Sequence, residues 1–190
     1  MKNYSIIIPI YNERDNIPAL LDKLCPYAED NQEVIIVNDG STDGSCSLLQ
    51  KSKFITLINN KFNFGKGRAV RNGLRYASND KIILFDGDLE MNPEEICSLM
   101  ILNEKTRVAL GTRYKKINPT NSIWDFGNYF YTSLFNMIHE SKIRDVLCCA
   151  KAFFKSDLNL TKLRSVGFDI DMEILRLLIK RQNYIKSVKL

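Results

Sequence analysis

This chain of 190 residues has very little histidine and no paired cysteine motif. It has one histidine, His139, and five cysteines without CxxC spacing, so a zinc site is not expected. No apolar run approaches the roughly 18 to 20 residues that a membrane-spanning helix needs. Because the sequence enters an apolar strand at Tyr4, no signal peptide is expected, which favours a cytoplasmic protein with reduced thiols.

Two common phosphate-binding fingerprints are also absent. The segment Gly65-Lys66-Gly67 lacks the Ser or Thr of a P-loop, and the chain contains no GxGxxG. The net charge of +5 is spread along the chain, which fits a phosphate-bearing ligand or an anionic membrane surface but not nucleic acid. With 45% hydrophobic and 26% charged residues, we expect a single globular domain over residues 1–190.

Apolar stretches followed by polar loops make up the first half of the chain. Strands are predicted at Ser5–Pro9, Glu33–Val37, Ile55–Ile58 and Lys81–Phe85. The loops that follow them span residues 9–13, 39–43, 63–71 and 86–90. Helical spacing between the strands gives alternating β and α elements, which implies an α/β fold with a mainly parallel sheet and helices on both faces. All four loops should therefore meet at the carboxyl edge of the sheet, where ligands bind.

The loop after the fourth predicted strand concentrates carboxylates. Asp86 and Asp88 flank Gly87, which permits a sharp turn, and Glu90 follows two residues later. Clustered carboxylates repel unless a cation joins them, and oxygen ligands suit Mg²⁺ or Mn²⁺. The alternative is an ordinary solvated turn. The agreement of the loops at one edge favours a metal site formed by Asp86, Asp88 and Glu90.

Two other loops at this edge carry groups that suit a nucleotide. Lys66 and Arg71 can meet phosphate, helped by the amide groups at the start of the helix predicted at 68–77. Asp39 can accept hydrogen bonds from a base or a ribose. For Gly65–Gly67 the alternative is a plain turn before a helix.

Four short motifs occur in a fixed order along this half of the chain. They are Ile8-Pro9-Ile10-Tyr11-Asn12-Glu13, Val37-Asn38-Asp39-Gly40-Ser41-Thr42-Asp43, Asn63-Phe64-Gly65-Lys66-Gly67 and Asp86-Gly87-Asp88. In this order they resemble the nucleotide-sugar half of a family 2 glycosyltransferase. The resemblance implies a GT-A fold, a divalent metal and inverting transfer from a nucleotide diphosphate sugar. The residues expected to bind the nucleotide sugar are Pro9, Tyr11, Glu13, Asp39, Lys66, Gly67, Arg71, Asp86 and Gly87.

Three later motifs indicate a particular group within this family. They are Gly111-Thr112-Arg113-Tyr114, the stretch Arg144–Phe153 and the stretch Gly167–Leu175. They resemble the dolichyl-phosphate and undecaprenyl-phosphate mannosyl- and glucosyltransferases, although Cys149 stands where that group has glycine. The resemblance implies that residues 1–115 bind the nucleotide sugar and the metal. Residues 116–190 would then bind the acceptor, with a C-terminus shorter than is usual in the family.

The later motifs supply four candidate catalytic residues, namely Arg113, Asp145, Lys151 and Asp171. A hydroxyl acceptor needs a general base, for which Asp145 or Asp171 is a candidate, although Asp145 could instead pair with Arg144. A phosphate acceptor is already anionic and needs cations instead, which gives Arg113, Lys151 and Arg144 a role. The aromatic-rich helix predicted at 123–139 either packs in the core or lies in a membrane interface and guides a lipid.

The predicted activity is transfer of a sugar from a UDP- or GDP-sugar, with Mg²⁺ or Mn²⁺, to a polyprenyl phosphate. This would place the protein at the cytoplasmic face of a membrane, alone or with a membrane partner protein. One alternative is transfer to a saccharide hydroxyl in surface-polysaccharide synthesis. Another is a non-catalytic relative that binds a nucleotide sugar without turnover.

Overall fold

The computed structural model describes residues 3–113, 123–179 and 185–190, and within these ranges the strands form one seven-stranded sheet. The strands are β1 (Tyr4–Ile10), β2 (Glu33–Asn38), β3 (Ile55–Asn59), β4 (Lys81–Leu84), β5 (Val108–Thr112), β6 (Lys151–Phe154) and β7 (Ile185–Lys189). Their order across the sheet is β3-β2-β1-β4-β6-β5-β7. Every neighbouring pair is parallel except the two that involve β6, which runs antiparallel to β4 and β5.

Helices cover both faces of this sheet. They are α1 (Ile17–Glu29), α2 (Ser45–Leu49), α3 (Lys66–Tyr76), α4 (Ile96–Leu99), α5 (Ile123–His139) and α6 (Ile170–Leu178). In β1, Ile7 points to the core beneath α3, α5 and α6, whereas Ile6 and Ile8 point to the core beneath α1, α2 and α4. Because side chains alternate along a strand, a strand that is buried on both faces reads as a continuous apolar run. The predicted α/β architecture is confirmed.

Several element bounds differ from those predicted from the sequence. Helix α3 begins at Lys66 instead of residue 68, and α1 continues past Pro26 to Glu29. Strand β6 was not predicted at all, because its four residues read as the end of a longer motif. It lies between β4 and β5, so it joins strands β1 to β4 to the pair formed by β5 and β7.

The buried face of helix α5 is partly polar. Asn128 and Thr132 are buried, together with Phe135, whereas Phe130 and Met137 are more than half exposed. The side chains of residues 123 and 124, which belong to the predicted aromatic-rich helix, lie outside the described part of the chain. Within 3–113, 123–179 and 185–190, no helix combines the length and apolarity that crossing a bilayer requires.

Candidate active site

A cavity of about 280 Å³ opens at the carboxyl edge of β1, β2 and β4. The predicted residues that line it are Pro9, Tyr11, Glu13, Asp39, Lys66, Asp86, Gly87 and Asp88. Sequence reasoning did not assign the remaining lining residues, which are Ile10, Asn63, Gly65, Ala69, Gly167 and Phe168. The parallel strand order therefore brings the loops after β1, β2, β3 and β4 to one space, as expected from the strand ends.

Asp39 is buried at one side of this cavity and is held by three donors. Its Oδ2 accepts hydrogen bonds from the amide of Gly65 at 2.7 Å and the amide of Phe64 at 3.1 Å. Its Oδ1 accepts one from the side-chain amide of Asn60 at 2.6 Å. Asp39 thus fixes the loop before α3 as well as lining the cavity.

The first two loops are tied together by side chains. Ser41 Oγ accepts from the amide of Asn12 at 2.9 Å, and Ser45 Oγ accepts from the amide of Glu13 at 3.1 Å. Asn16 Nδ2 donates to Glu13 Oε2 at 2.7 Å and to the backbone oxygen of Asp88 at 3.2 Å. Asn16 therefore links Glu13, in the loop after β1, to the acidic loop after β4.

The acidic loop presents two of its three carboxylates to the cavity. Asp86 and Asp88 line it and Glu90 does not, and no group of three metal-ligating side chains occurs among the described residues. The left-handed residue of this loop is Leu89, with φ of 62°, and Asp88 Oδ1 accepts from the amide of Glu90 at 3.0 Å. Mg²⁺ and similar ions are often held by one or two carboxylates plus substrate phosphates, so Asp86 and Asp88 fit such an ion.

A line of alternating charges runs from the cavity into the protein. Lys66 Nζ lies 2.8 Å from Asp86 Oδ2 and 2.9 Å from Asp171 Oδ2, and Lys151 Nζ lies 2.5 Å from Asp171 Oδ1. We call these four residues the charge ladder. Burial opposes the charge of Lys66, but Asp171 and Asp86 raise its pKa. Burial likewise opposes the charge of Asp171, but Lys151 and Lys66 lower its pKa, so Asp171 is an ionised ion-pair partner of both lysines.

The segment before α6 packs directly on the start of α3. A Cβ on Gly65 would collide with the backbone oxygen of Val166, and one on Gly67 would collide with that of Ser165. The amide of Gly67 donates to Val166 O at 2.8 Å, and Arg71 Nη1 donates to Ser165 O. Gly67 and Arg71 therefore hold this segment against α3 and do not line the cavity.

Phe168 brings an aromatic ring from that same segment to the cavity mouth. Its ring is 80% exposed, and Lys66 Nζ lies 5.5 Å from the ring centroid. The sequence signal that could have placed it is the Gly167–Leu175 motif, which was assigned to the acceptor half.

Arg113 and Asp145 form a separate pair outside the cavity lining. Arg113 Nε lies 3.1 Å from Asp145 Oδ2, and its Nη2 lies 3.3 Å from Oδ1. Asn128 of α5 donates to Asp145 Oδ1 at 3.3 Å and contacts Thr132. Asp145 is thus buried against a cation, and its ion-pair partner is Arg113, where the sequence suggested Arg144.

Cys149 lies near the charge ladder. Burial, together with the nearby negative charge of Asp86, raises the pKa of its thiol. A neutral thiol therefore occupies the position at which the resembling transferases have glycine.

A mainly parallel sheet with a cavity at the carboxyl ends of its strands, lined by Asp39, Lys66 and two loop carboxylates, defines the class of α/β proteins that bind ligands at this edge. A family comparison is more specific, because residues 5–160 match the model of Glycosyl transferase family 2. The match covers well over half of the chain, so the chain belongs to this family, and the predicted resemblance is confirmed.

The relatives of known name include undecaprenyl-phosphate 4-deoxy-4-formamido-L-arabinose transferases. The protein from Pseudomonas savastanoi is 35% identical over 133 residues, which cover 65% of this chain and 39% of the relative. The Yersinia pestis protein is 37% identical over 121 residues, 59% of this chain and 37% of the relative. The chain thus matches well under half the length of these relatives.

Solved structures confirm the GT-A fold. Glucosyl-3-phosphoglycerate synthase from Mycobacterium tuberculosis, in complex with Mn²⁺, UDP and glucosyl-3-phosphoglycerate, superimposes with a TM-score of 0.78. The identity is 19%, and the match covers 99% of this chain and 70% of that structure. At this identity the likeness concerns the fold alone.

Proposed function

We propose that this chain is the catalytic domain of an inverting glycosyltransferase that transfers a sugar from a UDP- or GDP-sugar to a polyprenyl phosphate. The observation that carries the proposal is the single cavity lined by Asp39, Lys66, Asp86 and Asp88. It brings together a nucleotide-side carboxylate, a phosphate-binding cation and two carboxylates suited to a divalent ion. Mn²⁺ and UDP in a structure of the same fold support this assignment.

The nucleotide sugar would be bound by residues 1–115 and the acceptor by residues 116–190. Asp39, Pro9 and Tyr11 line the end of the cavity proposed for the nucleoside, and Asp86 and Asp88 would hold the Mg²⁺ or Mn²⁺. When bound, such an ion neutralises the charge of the leaving diphosphate. Lys66 adds a second positive charge at the same place.

The acceptor side favours a phosphate over a hydroxyl. Both candidate bases are paired with cations, since Asp171 contacts Lys66 and Lys151, and Asp145 contacts Arg113. A hydroxyl acceptor needs a free base, whereas a phosphate is already anionic and needs none. The names of the undecaprenyl-phosphate transferases among the relatives support the same acceptor.

A lipid acceptor would place the enzyme at the cytoplasmic face of a membrane, alone or with a membrane partner protein. The exposed apolar face of α5, which includes Phe126, Phe130 and Met137, supports contact with a membrane surface.

The deciding experiment measures nucleoside diphosphate release from UDP- and GDP-sugars with Mg²⁺ or Mn²⁺, with and without a short polyprenyl phosphate. We expect release only when metal and lipid phosphate are both present. Asp88→Ala should lower the rate on the order of 100-fold, because the metal stabilises several kcal/mol of developing charge. Asp15→Ala removes an exposed carboxylate outside the cavity and should leave the rate unchanged.

Other outcomes would replace the proposal. Release that depends on a soluble saccharide and not on lipid phosphate would indicate a hydroxyl acceptor. Binding of the nucleotide sugar without turnover, under every acceptor, would indicate a binding domain.

A further inference from the structure

The charge ladder leaves Lys66 between two carboxylates that belong to different parts of the site. Asp86 lies in the loop after β4, where the metal is proposed, and Asp171 lies in the first turn of α6. Side-chain exposure is 23% for Asp86 and 11% for Lys66, and it is lower still deeper in the ladder, at 9% for Asp171 and 1% for Lys151. Lys66 is therefore the cation of the ladder that lines the cavity.

We propose that Lys66 makes metal binding at Asp86 conditional on the diphosphate of the nucleotide, and that Asp171 is the positioning residue that keeps Lys66 in place. The inference rests on the proposed function for its two ligands, a divalent cation and a nucleoside diphosphate. It adds that the diphosphate binds before the metal and that Lys66 and the metal ion compete for Asp86. The proposed function requires neither.

The antagonism follows from charge. One oxygen of Asp86 already contacts Lys66, so a divalent cation arriving alone must share this carboxylate with a close positive charge. At separations of a few ångströms in a partly buried site, such repulsion is strong. Metal binding without nucleotide should therefore be weak.

The diphosphate reverses this balance. It brings negative charge to the cavity, so Lys66 can turn from Asp86 to a phosphate oxygen, since a lysine is a point charge on a flexible stem. The amides of Gly65 and Gly67 already donate to Asp39 and to Val166 O, so what the start of α3 offers the same anion is the positive end of the helix dipole, where Lys66 is the first residue. Asp171 stays paired with Lys151 and limits how far Lys66 can move.

Direct binding measurements test this without activity. Mn²⁺ binding is followed by the electron paramagnetic resonance signal of the free ion, and UDP binding by calorimetry in a chelator, with GDP as a parallel probe. We expect Lys66→Met to bind Mn²⁺ alone about tenfold more tightly than the wild type and UDP alone about tenfold more weakly, which is within the usual range of coupling between ligands. Lys23→Met removes a lysine from the exposed pair with Glu94 and should change neither affinity.

A second variant separates charge from structure. Lys66→Arg keeps the positive charge, so Mn²⁺ alone should again bind weakly. If Lys66 had only a structural role, Lys66→Met would lower stability and leave the Mn²⁺ affinity unchanged, which would overturn the inference.

The wild-type protein provides a test that does not depend on a folded Lys66→Met. The side-chain nitrogen resonance of Lys66, assigned by its loss in Lys66→Arg, should shift with UDP and Mg²⁺ together and not with Mg²⁺ alone. No shift in the presence of both would also overturn the inference. Failure of the wild type to bind either UDP or Mn²⁺ would instead overturn the proposed function itself.

Discussion

Asp39 shapes the site by fixing the backbone of the loop before α3. Its two oxygens accept hydrogen bonds from the amides of Phe64 and Gly65 and from the side chain of Asn60. Because these donors belong to the loop that leads into α3, Asp39 sets where Lys66 enters the cavity. A hydrogen bond to a charged acceptor is worth more than one to a neutral acceptor, and a buried amide left without an acceptor is costly.

We expect Asp39→Asn to lower the free energy of unfolding by about 2 kcal/mol, because its amide group cannot accept from every donor that the carboxylate serves. UDP binding should weaken as the loop before α3 loses its anchor. Urea unfolding and calorimetry measure the two effects. Asp15→Asn, which changes an exposed carboxylate, is the matched control. An Asp39→Asn protein as stable as this control would show that these hydrogen bonds contribute little.

At the residue scale, the sequence predicts the part of the site that lies directly after strands. Asp39 and Asp86 line the cavity because parallel order fixes where the strand ends meet. Phe168 was not placed there, because it is far along the chain and reaches the cavity only through the packing of Val166 on Gly65. The pairing of Asp145 with Arg113 was equally unpredictable from sequence, since it depends on how α5 packs.

At the scale of elements, α5 shows the limit of reading hydrophobicity along a helix. Its aromatic residues predict either core packing or an interface, and the structure buries Phe135 while leaving most of the other described aromatic side chains exposed. The helix is held by the buried Phe135 and by polar contacts, such as Asn136 Nδ2 donating to Ile143 O at 2.8 Å. Strand β6 was missed for another reason, because its residues read as the end of the motif Arg144–Phe153.

Two phenylalanines of α5 give a matched test of this orientation. Phe135 is 5% exposed and Phe130 is 53% exposed. Phe135→Ala should lower the free energy of unfolding by about 3 kcal/mol, because it leaves a cavity in the core. Phe130→Ala should change it by less than about 0.5 kcal/mol, as is usual for surface substitutions. Equal losses in urea unfolding would mean that the exposed face of α5 is covered in solution.

At the scale of the whole molecule, charged groups fasten α6 and the segment before it to α3. Lys66 of α3 pairs with Asp171 of α6, and Arg71 of α3 donates to Ser165 O. The Glu173 carboxylate holds the same segment, since it accepts from the amide of Ser165 at 2.9 Å. We call these contacts between α3, α6 and the segment before α6 the junction. Because they depend on the charges of Asp171 and Glu173, protonation of either carboxylate should weaken the junction that brings Phe168 to the cavity.

The direction of the pH dependence follows from the pKa shifts at this junction. Burial opposes the charge of Glu173, but hydrogen bonds from the amides of Ser165 and Arg164 lower its pKa below the usual 4.5. The pKa of Asp171 is also lowered, because Lys151 and Lys66 outweigh its burial. A carboxyl group with a lower pKa in the folded state stabilises the fold above its unfolded pKa, and this contribution is lost as the pH falls through the folded pKa.

Glu173→Gln isolates the Glu173 contribution. The glutamine cannot ionise, so at pH 7 the variant should be less stable by about 1 kcal/mol, the value of a partly exposed charged hydrogen bond. Between pH 5 and pH 3 its free energy of unfolding should fall less steeply than that of the wild type, because one group that binds a proton on unfolding is gone. Asp171 is still present in this variant, so part of the pH dependence of the free energy of unfolding should remain. Urea unfolding at pH 7, 5, 4 and 3 measures both effects, with the exposed Glu104→Gln as control. Parallel curves for Glu173→Gln and the wild type would mean that acid opens the junction through Asp171 alone.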